Sequence, residues 1–169
     1  MASWHLRVSK APSAVTVAIS CSGGIWSSSP GSMGASPTSP VGFKSNTTPR
    51  GSVLLPLNPL TVTLGVENVS FVAQAVDWMP EMVYDIVSKA FHHRGFSLVR
   101  ILQRCPEFMP KAFDPWLHDP QRTMLLTHKD GLQLSPSLSS AYRNQREHDP
   151  IDIDRAREIA SQVLDLPMQ

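Results

Sequence analysis

The amino-acid sequence predicts an α/β domain with a mostly parallel sheet, flanking helices and a long Ser/Gly/Pro-rich loop. A helix predicted over 79–94 lies directly between two predicted strands, and a strand–helix–strand order with short joints is typical of a parallel βαβ unit. The second of these strands, FSLVRILQ at 96–103, has apolar side chains on both faces. That pattern is typical of a strand in the middle of a sheet covered on two sides.

A first strand is predicted from Ala14 to Ser20, because valine and isoleucine alternate there with small residues. The same region resembles a short lipoprotein signal, with basic residues, an apolar run and then Cys21. The run is shorter than the ~7–15 apolar residues of a signal peptide, and Pro12 interrupts its approach. The strand is therefore the favoured interpretation, and an exported lipoprotein anchored at Cys21 is the alternative.

Composition changes over 20–52, where 20 of 33 residues are serine, glycine or proline. Composition alone is typical of a linker. The segment also contains large apolar residues that a solvated linker does not need: Ile25, Trp26, Val41 and Phe43. Long loops inside domains are often functional, so the sequence predicts an ordered loop on the cofactor side of the sheet.

Helix signals are clear in the middle of the chain. A short helix opens at Asn58-Pro59 and ends at Gly65, because a capping residue, a proline and a glycine take their usual positions. A strand is predicted over 69–73. The helix over 79–94 has an apolar face at three- and four-residue spacing: Met79, Met82, Val83, Ile86, Val87, Ala90 and Phe91.

The last third of the chain is less regular. The segment DGLQLSPSL at 130–138 predicts a hairpin or a short strand, and 153–164 predicts a terminal helix. The proline-rich, apolar segment 106–116 suggests contact with a partner.

Charge and cysteine content exclude several classes of protein. The 15 basic and 14 acidic residues nearly balance, so no strong field favours nucleic acid or an anionic membrane. Two cysteines are too few for a disulfide framework, which favours a reduced, cytoplasmic setting. The apolar runs are all shorter than the ~18 residues of a membrane span.

Cys105 is the main candidate for a site residue. It follows the predicted central strand closely, and Pro106 ends the hydrogen-bonded ladder because proline has no N–H. In open α/β sheets, ligands collect at the carboxyl ends of strands. A free cysteine is also often a small, inert core residue, so residue chemistry leaves both interpretations open.

Three blocks of sequence, in order, resemble the β subunit of 2-oxoacid:ferredoxin oxidoreductases, most closely the 2-oxoglutarate or pyruvate type. They are SPTSPVGFKSNTTPRGS at 36–52, LNPLTVTLGVENVSFVAQ at 57–74 and HRGFSLVRILQRCPEF at 93–108. The resemblance divides the chain into a degraded or divergent start, 1–34, and the C-terminal part of a thiamine diphosphate-binding domain, 35–169.

The resemblance implies an enzyme subunit that uses thiamine diphosphate, Mg²⁺ and a [4Fe–4S] cluster. Such an enzyme oxidatively decarboxylates a 2-oxoacid such as 2-oxoglutarate, passes electrons to ferredoxin and transfers the acyl group to coenzyme A. The implied protein partners are an α subunit and ferredoxin. As in other cofactor enzymes, the cofactor carries the chemistry and the protein orients it.

Matching the family's motifs to this sequence implies the site residues. Cys105 is implied to be one thiolate of the cluster, whose irons need four ligands. The family's cofactor-loop motif falls on 22–32, with implied cofactor contacts at Gly23, Ile25, Ser29 and Gly31. The backbone carbonyl of Ile25 suits magnesium, since a carbonyl ligand needs no particular side chain. No catalytic residue is assigned.

The sequence departs from the family in two places. Gly23 replaces an asparagine whose side chain binds the metal, and the family's Gly-Asp-Gly-Asp motif for magnesium and diphosphate is absent from this sequence. A second hypothesis follows, in which the chain is a non-catalytic remnant that retains only the surface for the α subunit.

Overall fold

The computed structural model describes residues 2–3, 15–21, 41–42, 44, 49–51, 53, 55, 57–104, 111, 113–132 and 134–162. For 2–3 and 15–21, only the backbone is described.

The strands in these ranges are β1 (Ala2–Ser3), β2 (Val15–Cys21), β3 (Val69–Val76), β4 (Phe96–Gln103), β5 (Leu125–Thr127) and β6 (Gln145–Glu147). The α-helices are α1 (Pro59–Leu64), α2 (Pro80–His92), α3 (Asp114–His118), α4 (Pro136–Ala141) and α5 (Ile153–Gln162). A 3₁₀ turn spans Pro120–Arg122. No helix within the described ranges is long and apolar enough to cross a membrane.

Within the described ranges, the main sheet has four strands in the order β1-β3-β4-β2. Strand β4 runs parallel to both β3 and β2, whereas β1 pairs with β3 in the antiparallel direction. Helix α2 connects β3 to β4, so these three elements form the predicted βαβ unit. A small second sheet pairs β5 with β6 in parallel. The predicted α/β class with a mostly parallel sheet is confirmed.

Apolar side chains cover the main sheet on two sides. Val99 on β4 is completely buried in the cluster that α2 makes with the sheet: Phe71, Met82, Ile86, Ala90 and Val99. The neighbouring side chain, Leu98, lies on the opposite face of the sheet. It packs there in a cluster with Leu60 and Leu64 of α1, Val72 of β3 and Ala160 of α5. Strand β4 also runs over 96–103 as predicted. The pattern of FSLVRILQ therefore predicted a two-sided central strand correctly.

Helix α1 begins at the predicted capping sequence. Oδ1 of Asn58 accepts hydrogen bonds from the N–H groups of Leu60 at 3.0 Å and Thr61 at 3.4 Å. Pro59 takes the first helical position, where a missing N–H costs nothing. Local sequence is sufficient to start this helix because the cap satisfies backbone donors that have no partner within the helix.

Helix α2 differs from its prediction at the end. It runs over Pro80–His92, and His93 is already extended, with φ −70° and ψ 135°. Phe91 was predicted to lie on the buried face, and this is wrong, because its side chain is 70% exposed. Phe91 lies on the same helical ridge as Val87, four residues earlier, and Val87 is only half-buried. The neighbouring ridge, which is fully buried, ends at Ala90.

Two further predictions need correction. Strand β3 continues past 73 to Val76, because its pairing with β4 extends to the pair Val76–Leu102. The segment 130–138 forms neither a hairpin nor a strand in its described residues; Ser135 instead caps α4, accepting from the N–H of Leu138 at 3.4 Å. The terminal helix begins at 153 as predicted and is described to 162.

Candidate functional site

Three parallel strands end together at one edge of the main sheet. Cys21, the last residue of β2, pairs with Gln103, the last residue of β4, and Val76 of β3 pairs with Leu102. The chain therefore leaves the sheet at the same edge after β2 and after β4. This carboxyl edge is where ligands bind in open α/β sheets.

The predicted site residues lie outside the described residues: Gly23, Ile25, Ser29, Gly31 and Cys105. Gly23 follows the end of β2 by two residues, and Cys105 follows the end of β4 by two residues. The structure thus describes the strand ends from which both predicted segments leave, and it leaves the five assignments as predictions. Among the residues that the structure does describe, no three His, Cys, Asp or Glu side chains cluster as a metal site.

An ion pair holds the carboxyl ends of β3 and β4 together. The N–H of Asp77 donates to the carbonyl of Leu102 at 2.9 Å. In return, Oδ2 of Asp77 accepts from the backbone N–H of Arg104 at 3.0 Å, and Oδ1 accepts from its Nε at 2.9 Å. These bonds position the backbone directly before Cys105. The sequence contained a usable signal, since each residue follows the end of one strand of the βαβ unit.

Two adjoining cavities lie against the sheet, and five residues line both: Gln74, Val76, Thr123, Met124 and Ile159. We call these five the junction. The first cavity, of about 210 Å³, extends along β3 toward α1, α5 and His148. The second, of about 260 Å³, extends toward Trp78, Leu102 and Trp116, near the carboxyl edge of the sheet.

Among the described residues, several that line these cavities have a polar atom that is buried without a hydrogen-bond partner. These atoms include Oγ1 of Thr123 and Nδ1 of His148. Nε of Arg100, which lines neither cavity, is in the same state. Burial lowers the pKa of His148, so its imidazole is neutral at pH 7. Sequence patterns did not identify His148, because its position in an irregular segment carried no signal.

Arg100 is a buried cation on the central strand. Its side chain is 6% exposed, and its Nη1 donates to Oε1 of Gln74, the neighbouring residue in register on β3, at 3.2 Å. Burial lowers the pKa of Arg100 to about 10, which still leaves it charged at neutral pH. The sequence did contain a signal here, since Arg100 interrupts an otherwise apolar central strand.

An open, mostly apolar groove is lined by one side of α2 and by Ile101 of β4. Tyr84 is 78% exposed and Phe91 is 70% exposed, and both line this groove with Ile101. Contiguous exposed apolar side chains of this kind are typical of protein contact surfaces. The groove is therefore a candidate surface for a partner.

Comparison with known proteins points to one enzyme class. The chain is 43% identical over 79 residues to the 2-oxoglutarate oxidoreductase subunit KorB of Mycobacterium tuberculosis, covering 47% of this chain and 21% of that protein. It is 28% identical over 74 residues to the 2-oxoacid:ferredoxin oxidoreductase subunit beta of Saccharolobus solfataricus, covering 44% of this chain and 24% of that protein. No protein-family model matches.

This chain is similar to 2-oxoacid:ferredoxin oxidoreductase β subunits. The resemblance predicted from the three sequence blocks is confirmed. The chain spans between 21% and 24% of the length of these two β subunits. Among solved structures, a 2-oxoglutarate:ferredoxin oxidoreductase from Magnetococcus marinus, with 2-oxoglutarate, coenzyme A and succinyl-CoA bound, is 25% identical with a TM-score of 0.46, covering 77% of this chain and 47% of that one.

Proposed function

We propose that this chain works as part of the β subunit of a 2-oxoacid:ferredoxin oxidoreductase. Its reaction is the oxidative decarboxylation of a 2-oxoacid such as 2-oxoglutarate to an acyl-CoA, with electrons passed to ferredoxin. The observation that carries the proposal is the 43% identity over 79 residues with the subunit from M. tuberculosis. In this proposal, residues 35–169 are the C-terminal part of the thiamine diphosphate-binding domain, and 1–34 are its divergent start.

The shared carboxyl edge of β2 and β4 supports the proposed site. The proposal assigns Gly23, Ile25, Ser29 and Gly31 to the cofactor, and they follow β2. It assigns Cys105 to the iron–sulfur cluster, and it follows β4, whose end is paired with the end of β2. When bound there, thiamine diphosphate would supply the electron sink that decarboxylation of a 2-oxoacid needs.

The donor atoms in this sequence are an incomplete set for either metal centre. A [4Fe–4S] cluster needs four ligands, usually thiolates, and the sequence has two cysteines, Cys21 and Cys105. Magnesium needs an octahedron of oxygens, and Gly23 offers no side-chain oxygen. The proposal therefore requires further ligands from outside this sequence, and the role of the chain is to contribute one part of each site.

The proposed partners are the α subunit, ferredoxin, coenzyme A and the 2-oxoacid, in a cytoplasmic setting. The exposed groove beside Tyr84 and Phe91 supports an assembly with another subunit, since such a surface is rarely left uncovered. A balanced charge is also consistent with a protein partner.

Two binding measurements test the proposal. The full chain, carrying an affinity tag, is expected to capture the partner subunit of the M. tuberculosis enzyme when the two are co-expressed. The purified complex is expected to gain thermal stability from thiamine diphosphate with Mg²⁺, because a ligand of the native state stabilises it. Capture without a cofactor shift would favour the non-catalytic remnant, and failure of both would overturn the proposal.

A chimera tests the role of Cys105. In the chimera, residues 93–108 of this chain replace the matching segment of the M. tuberculosis subunit. The rest of that subunit is unchanged. The proposal expects the visible absorbance of an iron–sulfur cluster in the chimera and its loss in the Cys105→Ser form. Equal absorbance in the two forms would show that Cys105 is not a ligand.

A further inference from the structure

The two adjoining cavities form a candidate site whose described lining residues include none of those assigned to thiamine diphosphate. Their walls are mostly apolar, with Val76, Met124 and Ile159 at the junction. Their volumes, about 210 and 260 Å³, are close to the range of small-molecule sites, which usually combine apolar walls with a few polar groups.

Polar groups of residues that line these cavities are buried without a hydrogen-bond partner among the residues that the structure describes. One is Oγ1 of Thr123, which belongs to the junction. Another is Nδ1 of His148, which lines the first cavity at 5% exposure. Folded proteins rarely leave buried polar atoms unpaired, so each such atom suggests a missing ligand or water.

The charge around the junction favours an anion. Gln74, the other polar residue of the junction, accepts a hydrogen bond from Arg100, a buried cation behind the cavity lining whose Nε has no partner within the described part of the chain. The side-chain contact observed for the Arg100 guanidinium is this hydrogen bond to the neutral amide of Gln74. Buried charges are normally paired with an opposite charge. Arg122 lines the second cavity, and none of the described residues lining either cavity is Asp or Glu.

We infer that the junction binds a small organic carboxylate. The carboxylate contacts the hydroxyl of Thr123 and the amide of Gln74, and Arg100 supplies the opposite charge. An apolar body then lies along Val76, Met124 and Ile159. This site goes beyond the proposed oxidoreductase function, since it uses none of the residues assigned to the cofactors.

Matched ligands test the charge requirement on the full chain alone, without a partner subunit or thiamine diphosphate. The probes are 4-methylpentanoate and 4-methylpentanamide, which have similar shape and differ in charge. Titration calorimetry is expected to show binding of the acid at least tenfold tighter than binding of the amide. Equal affinities, or no detectable binding of the acid at millimolar concentration, would overturn the inference.

Two substitutions test the residues. Thr123→Val removes the hydroxyl at nearly constant volume and is expected to weaken binding of the acid about tenfold, as loss of a hydrogen bond to a charged group does. Gln74→Glu places a carboxylate next to Arg100, so it is expected to raise the melting temperature and abolish binding of the acid.

Gln121→Glu is the matched control for the second variant, because Gln121 is exposed and lies outside both cavities. It makes the same charge change and is expected to leave acid binding unchanged. Acid binding by Gln74→Glu that equals that of Gln121→Glu would overturn the inference. The melting temperature of Gln74→Glu is measured as well, and it is expected to be at or above that of the original chain. Loss of acid binding then cannot be attributed to unfolding.

Discussion

Asn58 and Ala160 are joined by a hydrogen bond across 102 positions of sequence, with Nδ2 of Asn58 donating to the carbonyl oxygen of Ala160 at 2.8 Å. The other atom of the same amide, Oδ1, caps α1. One side chain therefore starts α1 and ties it to α5. Ala160 is buried beside Leu60 and Leu64, so this bond reinforces an apolar contact between the two helices.

Substitution of Asn58 separates its two roles. Asn58→Ala removes both and is expected to lower the free energy of unfolding by about 1–2 kcal/mol for the cap and about 1 kcal/mol for the bond to Ala160. Asn58→Asp keeps the cap and loses the donor, so its loss is expected to be smaller. Urea unfolding measures both variants.

The control is Asn144→Ala, which also removes an amide donor to a distant carbonyl, that of Gln121, but starts no described α-helix. Its loss is therefore expected not to exceed about 1 kcal/mol. Equal losses for Asn58→Ala and Asn58→Asp would show that the cap contributes nothing. An Asn58→Asp variant as stable as the original chain would show that the bond to α5 contributes nothing to stability.

Gly95 is expected to tolerate no side chain. Its φ is +130°, and an added Cβ would overlap Oγ of Ser70, which donates to the carbonyl of Phe96 at 3.0 Å. Gly95→Ala is expected to lose about 1–2 kcal/mol from the backbone conformation and about 1–3 kcal/mol from overpacking. Thermal and urea unfolding measure the loss.

Gly42→Ala is the control for backbone strain alone, because Gly42 also has a positive φ, +84°, with nothing within 4 Å of an added Cβ. It is expected to lose clearly less. Removing the hydroxyl in the double variant Gly95→Ala with Ser70→Ala is expected to recover part of the overpacking loss. No recovery would assign the whole effect to the backbone.

The free energy of unfolding is expected to decrease as the pH is lowered, because the buried imidazole of His148 resists protonation. Burial lowers the pKa of His148 in the folded chain, and this outweighs the attraction of Asp152 and Asp149. The unfolded chain therefore takes up the proton first, near pH 6.5. The contribution is fully present above pH ~6.5 and is lost as pH falls through the lower folded pKa.

Urea midpoints between pH 7.5 and 5 test this effect in the original chain and in His148→Gln. The variant has no imidazole at this position, so its midpoint is expected to change less over this range. Parallel pH profiles for the two proteins would show that the buried His148 does not control the acid sensitivity.

Asp77 is expected to order the backbone directly before Cys105. Asp77→Ala removes both acceptors for Arg104. Asp77→Asn keeps one side-chain oxygen, which can still accept from the backbone N–H of Arg104. The ion pair is partly exposed, so the change in stability is expected to be below about 1 kcal/mol. Hydrogen exchange of the Arg104 amide is the sharper measurement, and it is expected to be fastest in Asp77→Ala.

The control is Asp119→Ala, which removes another exposed partner of an arginine, Arg122, at the start of the 3₁₀ turn. It is expected to leave exchange at Arg104 unchanged. An exchange rate at Arg104 that is the same in Asp77→Ala and in the original chain would show that this carboxylate does not hold the strand end.

Local patterns predicted the central elements well. The apolar side chains on both faces of FSLVRILQ predicted both the bounds and the two-sided burial of β4, and the Asn-Pro pair predicted the start of α1. These succeed because a strand between two helical layers and a capped helix each leave a signature within a few residues. Periodicity failed for Phe91, since residues on one helical ridge differ in how far the sheet covers them.

The amino-acid sequence alone was sufficient for the α/β class, the parallel βαβ unit and the resemblance to oxidoreductase β subunits. The fold was needed to find that Gln74, Thr123 and His148 line one pair of cavities and that Arg100 donates to Gln74. Periodicity and capping act over a few neighbouring positions, whereas burial, charge compensation and cavity shape depend on packing between residues far apart in the chain. For that reason Arg100, a buried arginine with no acidic partner among the described residues, looks in the sequence like an ordinary interruption of a strand.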